Sequence, residues 1–205
     1  ENSTAKIKFS VLAAASIMQI LKRQRNAFGL SLFADSILFE SGLRSSGLHY
    51  SEMLQTLQPY WDTIKPGISK QKTALAKALE FQAQTLKRRS LLILFTDMID
   101  NAGESDLEEV WNALKHLKFN QHEILIFNLR YAPQETYLKF ENKLHKFVDL
   151  ETGEHLIVNP INIKESYIES MQKFDEKIRE KCLQYKIDLY QADVSKDFAQ
   201  VLTPF

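Results

Sequence analysis

The stretch Ser90-Leu91-Leu92-Ile93-Leu94-Phe95-Thr96-Asp97 decides the fold. A continuous apolar run stopped abruptly by Thr96-Asp97 reads as a central strand of a parallel sheet, because only a strand covered on both faces dispenses with polar alternation. Upstream, Ala74, Leu75, Ala78, Leu79 and Phe81 recur at helical spacing and mark a long helix ending near Lys87-Arg88-Arg89. Downstream, Leu107, Val110, Trp111, Leu114 and Leu117 give a second helical stripe, and Glu123 to Leu129 reads as another strand. Strands separated by helices need parallel crossover connections, so the fold class is α/β: a doubly wound, mainly parallel sheet with helices on both faces.

Further out the pattern continues. Ile7, Val11, Ala14, Met18 and Leu21 predict a helix over 6–25, after an opening Glu1-Asn2-Ser3-Thr4 that reads as loop. Phe28 to Phe33 and Ile37 to Phe39 read as a strand pair about the turn Ala34-Asp35-Ser36, followed by a polar loop from Ser41 to Gly47. A short helix carrying Tyr50, Met53, Leu54 and Leu57 is closed by Pro59, and Lys65-Pro66-Gly67 marks a turn. Phe147 to Leu150 and His155 to Val158 flank Glu151-Thr152-Gly153-Glu154 as a hairpin attached to the main sheet. Tyr167, Met171, Phe174, Ile178, Cys182 and Tyr185 stripe a long charged helix, and Ile187 to Tyr190 form the last strand before a short terminal helix. We expect a single domain over 1–205, decorated by the hairpin near 147–158.

Composition narrows the function. Lys and Arg total 26 and Asp and Glu total 26, so no global field draws the chain to nucleic acid or to an acidic membrane surface. The one cysteine, Cys182, makes neither an intrachain disulfide nor a cysteine-rich zinc site, which points to a reducing, cytoplasmic compartment. Runs such as Leu91 to Phe95 fall far short of the roughly 20 residues that cross a bilayer. The five histidines, His49, His116, His122, His145 and His155, show no metal-binding spacing and read as surface or loop residues. Cys182, Trp61 and Trp111 read as packing residues.

Ligands of such sheets gather at the carboxyl ends of the strands, which directs attention to Asp97 and, three residues on, Asp100. A hard cation takes oxygen ligands and keeps several waters, so Asp97 with a hydroxyl from Thr73 is a chemically reasonable pair for Mg²⁺ or Mn²⁺. The competing reading is that Asp97 ends its strand by accepting backbone hydrogen bonds and Thr73 caps a helix. Lys87-Arg88-Arg89 suits either an anionic partner or the dipole at a helix C-terminus. Asp149, Glu151 and Glu154 crowd one hairpin but read as solvated acids rather than acid/base catalysts.

Three stretches together resemble the domain-of-unknown-function-58 family, a bacterial group with a von Willebrand factor A-like domain. They are Asn26 to Phe33; Lys72-Thr73-Ala74-Leu75 through Lys87-Arg88-Arg89-Ser90 to Asp100; and Phe147 to Glu154 with the long helix and Ile187-Asp188 that follow. The resemblance implies a metal-ion-dependent adhesion site in which Thr73 and Asp97 match two later ligands. It also implies a cytoplasmic protein-interaction module, with no catalytic residues, partnered with a MoxR-type AAA+ ATPase. The family's leading Asp-x-Ser-x-Ser motif is absent, so the site is incomplete; we expect residues upstream of Glu1 to supply that motif's strand, the first of the family's sheet. Lys70 and Lys72 beside Thr73 would repel a cation. Two alternatives stand beside this one: a metal-independent scaffold of the same fold, and a Mg²⁺-dependent phosphohydrolase using Asp97 and Asp100. The last lacks a phosphate-cradling Gly-x-x-x-x-Gly-Lys-Ser/Thr loop.

Overall fold

In the computed structural model the first helix, α1 (Asn2–Arg23), starts within the opening residues expected to be loop. Its end is closed without glycine. Arg25 takes a left-handed φ of 60°, while its own N–H reaches Lys22 O at 3.1 Å and the Asn26 N–H reaches Leu21 O at 2.9 Å. These two bonds form a Schellman motif, which satisfies carbonyls that the last turn leaves open. The structure describes residues 2–62, 75–87, 89–97, 104–148 and 155–202. The expected turn at Lys65-Pro66-Gly67 lies outside them.

The chain divides into two compact units, Glu1–Gly67 and Ile68–Phe205. In the first, β1 (Ser31–Phe33) and β2 (Ile37–Glu40) form the expected antiparallel pair, with Leu32 opposite Phe39. The helix α2 (Gly47–Asp62) contains Pro59 instead of stopping at it. A proline in the final turn forfeits one backbone bond, and the preceding turns hold the helix through Met53 and Leu57. Those two residues pack with Met18 and Phe28 in the unit's core. His49 is buried here, against the surface expectation, with Nε2 3.0 Å from Phe28 O. Trp61, expected as a core or helix-packing residue, is 41% exposed, with the ammonium of Lys8 on α1 5.6 Å from its ring centroid. By length and composition α1 is apolar enough to cross a membrane, which the short apolar runs did not suggest, although Met18 belongs to this core.

The second unit holds α3 (Leu75–Thr85), β3 (Leu91–Thr96), α4 (Glu104–Phe119), β4 (Glu123–Arg130), α5 (Ala132–Glu135), β5 (His145–Val148), β6 (His155–Val158), α6 (Pro160–Tyr185), β7 (Asp188–Asp193) and α7 (Phe198–Leu202). The core sheet is parallel throughout, in the order β3-β4-β7. The central strand is therefore β4, and β3, expected at the centre, lies at the edge of this sheet among the described residues. Its burial agrees: Leu91 is exposed, whereas every residue of β4 from Ile126 to Arg130 is buried.

Strand alternation sorts the two faces. Phe95, Phe127 and Tyr190 lie in one row across the sheet, with Phe95 and Phe127 stacked at 4.9 Å, and the Tyr190 hydroxyl donates to Val201 O of α7 at 2.8 Å. Thr96, Asn128 and Gln191 form the row facing the other way, on the side where Arg130 meets Asp175 of α6. Helices thus cover both faces, in the Rossmann-like arrangement expected. Leu114, Leu117, Ile124, Ile126, Ile178 and Cys182 are among the fully buried side chains of this unit. Each large aliphatic among them contributes about 1.5–3 kcal/mol. Trp111 is buried as expected, its ring 6.0 Å from Tyr185.

β5 and β6 pair only with each other among the described residues, with Phe147 opposite Leu156. The hairpin, expected as a decoration attached to the main sheet, forms its own two-stranded ribbon. His122 corrects the expectation of exposed histidines a second time, being 2% exposed between α4 and β4. Its Nδ1 accepts the Ser90 N–H at 3.2 Å and so carries no proton, and its buried Nε2 has no hydrogen-bond partner among the described residues. Burial lowers its pKa, holding the ring neutral.

Candidate functional site: the carboxyl edge of the sheet

Parallel packing brings the ends of β3, β4 and β7 together, and with them Thr96-Asp97, Asn128 to Arg130 and Gln191 to Asp193. Asp97 stands where its position after the apolar run placed it, partly buried in a bend directly after β3. Thr73 and Asp100 lie outside the described residues, as do Asp149, Glu151 and Glu154, so the structure does not bring the expected Thr73–Asp97 pair into view.

What it does bring together is a polar chain unforeseen from sequence. Arg130, 4% exposed, extends its guanidinium to Asp175 of α6 in a bidentate pair, Nη1 to Oδ2 at 2.7 Å and Nη2 to Oδ1 at 2.6 Å. Gln191 Nε2 donates to the same Asp175 Oδ1 at 3.4 Å, and Asn128 Nδ2 donates to Gln191 Oε1 at 3.4 Å. The two short bonds are of the strong charge-assisted, fork-on-carboxylate kind; the two long ones only orient the amides. Parallel alternation makes this possible, since residues two apart, Asn128 and Arg130, share the face that α6 covers. A signal for it exists in Phe127-Asn128-Leu129-Arg130, where polar residues alternate inside an apolar strand.

Asp193, at the end of β7, is committed to its own loop. Its Oδ1 accepts from Ser195 Oγ at 2.6 Å, Ser195 N at 3.1 Å and Ala132 N at 3.2 Å. This is an Asx-type turn that also pins the start of α5 to the end of β7. The Glu135 carboxylate accepts the Tyr131 N–H at 2.9 Å, and the Tyr167 hydroxyl donates to Glu135 O at 2.7 Å. The carboxylates of Asp175, Asp193 and Glu135 are thus engaged by donors of the protein itself.

Chemically, the edge holds a buried guanidinium whose charge is matched by the Asp175 carboxylate. Among the described residues no group of three His, Cys, Asp or Glu side chains is placed to hold a metal ion. Cys182 gives no alternative nucleophile: it is buried, and burial pushes its thiol up to about 12.

The sequence profile of the family described as "Protein of unknown function DUF58" matches residues 2–177. The chain belongs to this family. The match spans both compact units and ends within α6, so Asp97, Arg130 and Asp175 fall inside the family's region, whereas Gln191 and Asp193 follow it. Comparison with curated proteins and with solved structures gives no significant match.

Proposed function

We propose that this DUF58 chain is a non-catalytic, metal-independent protein-interaction scaffold built on a von Willebrand factor A-like sheet. The observation that carries this reading is the Arg130–Asp175 pair. At the edge where doubly wound sheets bind ligands, the charges are satisfied by the fold's own groups, leaving a rigid rim suited to docking and not an open coordination sphere. Further support comes from Asp193, whose Oδ1 is occupied by three donors. The partner implied by the family resemblance is a MoxR-type AAA+ ATPase, in a bacterial cytoplasm. The test is capture of that ATPase by the full-length protein in Mg²⁺ and in chelator, for wild type and Asp97→Ala. Equal capture in all four conditions supports the scaffold. Capture lost both in chelator and in folded Asp97→Ala restores the adhesion-site reading with Thr73 and Asp97.

A further inference from the structure

The chain as a whole is uncharged, yet its charges are not evenly spread over the second unit. At the amino edge of the sheet, opposite the edge just described, α3, α4 and α6 all terminate. The edge is one connected surface. Asn120 Nδ2 donates to Ala83 O at 3.0 Å, the Glu123 N–H donates to Ser90 O at 2.9 Å, and the register that pairs Leu125 with Asp188 brings Lys186 to the same side.

Two features coincide on it. Lys87, Arg89 and Lys186 are exposed, Lys118 is partly so, and none of the four forms an ion pair among the described residues; Glu123 and Asp188 are the acids at the strand starts. Between these cations stand three large apolar side chains left in solvent: Phe119 is 85% exposed, Leu183 71% and Leu91 56%. Cations near helix C-termini have a ready structural explanation in the helix dipole. That explanation does not extend to apolar residues exposed beside them on three separate elements. Phe119 could be polar at no cost to the core, since it touches so little of it.

We propose that this amino edge docks on an anionic lipid layer, with Phe119 and Leu183 entering the interface and Lys87, Arg89, Lys118 and Lys186 meeting the headgroups. Charge complementarity names the occupant: cations that form no ion pair among the described residues, beside exposed apolar side chains, match the boundary between acidic headgroups and acyl chains. The site is independent of the carboxyl edge and does not rest on the scaffold reading. It places the two functional faces at opposite ends of the strands, so the protein could hold a partner while resting on a membrane surface.

The experiment is co-sedimentation of the full-length protein with vesicles of phosphatidylcholine alone and of phosphatidylcholine with added phosphatidylglycerol, at low and high salt. Wild type is expected to partition onto the anionic vesicles and to be released by salt. Phe119→Ser, and separately Lys87→Glu with Arg89→Glu, should each weaken partitioning about tenfold while circular dichroism stays unchanged. All three positions are exposed, so both variants should fold. No preference for anionic vesicles overturns the proposal. So does equal binding of wild type and both variants, which would assign membrane attachment to another element, such as α1.

Discussion

Replacing Asp175 by Ala should destabilise the second unit more than replacing Arg130 by Met, although both changes break the same ion pair. The reason is unequal burial: the Arg130 side chain is 5% exposed and that of Asp175 is 25% exposed. Asp175→Ala leaves a guanidinium held away from water without its carboxylate, a situation that typically costs about 3–5 kcal/mol. Arg130 has a further contact in the structure, which sets the expected cost at the lower end, ~3 kcal/mol. Arg130→Met leaves a carboxylate that water reaches and fills the space with an apolar side chain, so about 1–2 kcal/mol is expected. The double variant should fall well short of the sum, by at least ~1 kcal/mol, because the second change removes the charge stranded by the first. Urea unfolding in a Trp61→Phe background, where Trp111 alone reports, measures all four corners of the cycle. Asp175→Ala within ~0.5 kcal/mol of wild type, or Arg130→Met costing more than Asp175→Ala, refutes the description of a buried, structural pair.

Three other outcomes follow from named groups. His122 is buried neutral, so burial holds its folded pKa below the ordinary 6.5; the stability it preserves is complete above that pH and is lost progressively as pH falls below it. The pH slope of urea unfolding between pH 7 and pH 5 should therefore shrink in His122→Gln, and an unchanged slope would assign acid sensitivity elsewhere. Gln121 and Lys186 close α4 and α6 at φ of 65° and 55°, so glycine at either should stabilise by roughly 0.5–1 kcal/mol; a loss of stability in thermal or urea unfolding would contradict the Schellman assignment. Cys182, buried and with its thiol raised to about 12, should react with a disulfide reagent only at the rate of unfolding, and rapid labelling of native protein would place it at the surface.

How much of this was legible in the sequence depends on which interactions are local. The alternation of apolar runs and helical stripes reports burial directly, and it located β3, α4, β4, α6 and β7 to within a few residues. Helix stops were harder, since Arg25, Gln121 and Lys186 adopt the left-handed conformation that glycine normally signals. Their motifs are held by backbone bonds to the preceding turn, which composition does not show. The burial of His49 and His122 depends on carbonyl and amide partners 21 and 32 residues away, beyond any local pattern. The same holds for the site. Asp97 was visible because it ends an apolar run, but Arg130–Asp175 joins a strand to a helix 45 residues later. Only the alternation in Phe127-Asn128-Leu129-Arg130 hinted at it. β3 read as central because apolar composition reports covered faces and not neighbouring strands; among the described residues it pairs with β4 alone.

In the proposed scaffold, the protein's own charges close the carboxyl edge. Calorimetric titration of Mn²⁺ into the full-length protein tests this most directly. The expected result is no saturable heat, with the same trace for wild type and Asp97→Ala. Saturable, one-to-one binding that disappears in a folded Asp97→Ala variant would contradict it, and would make Asp97 a metal ligand after all.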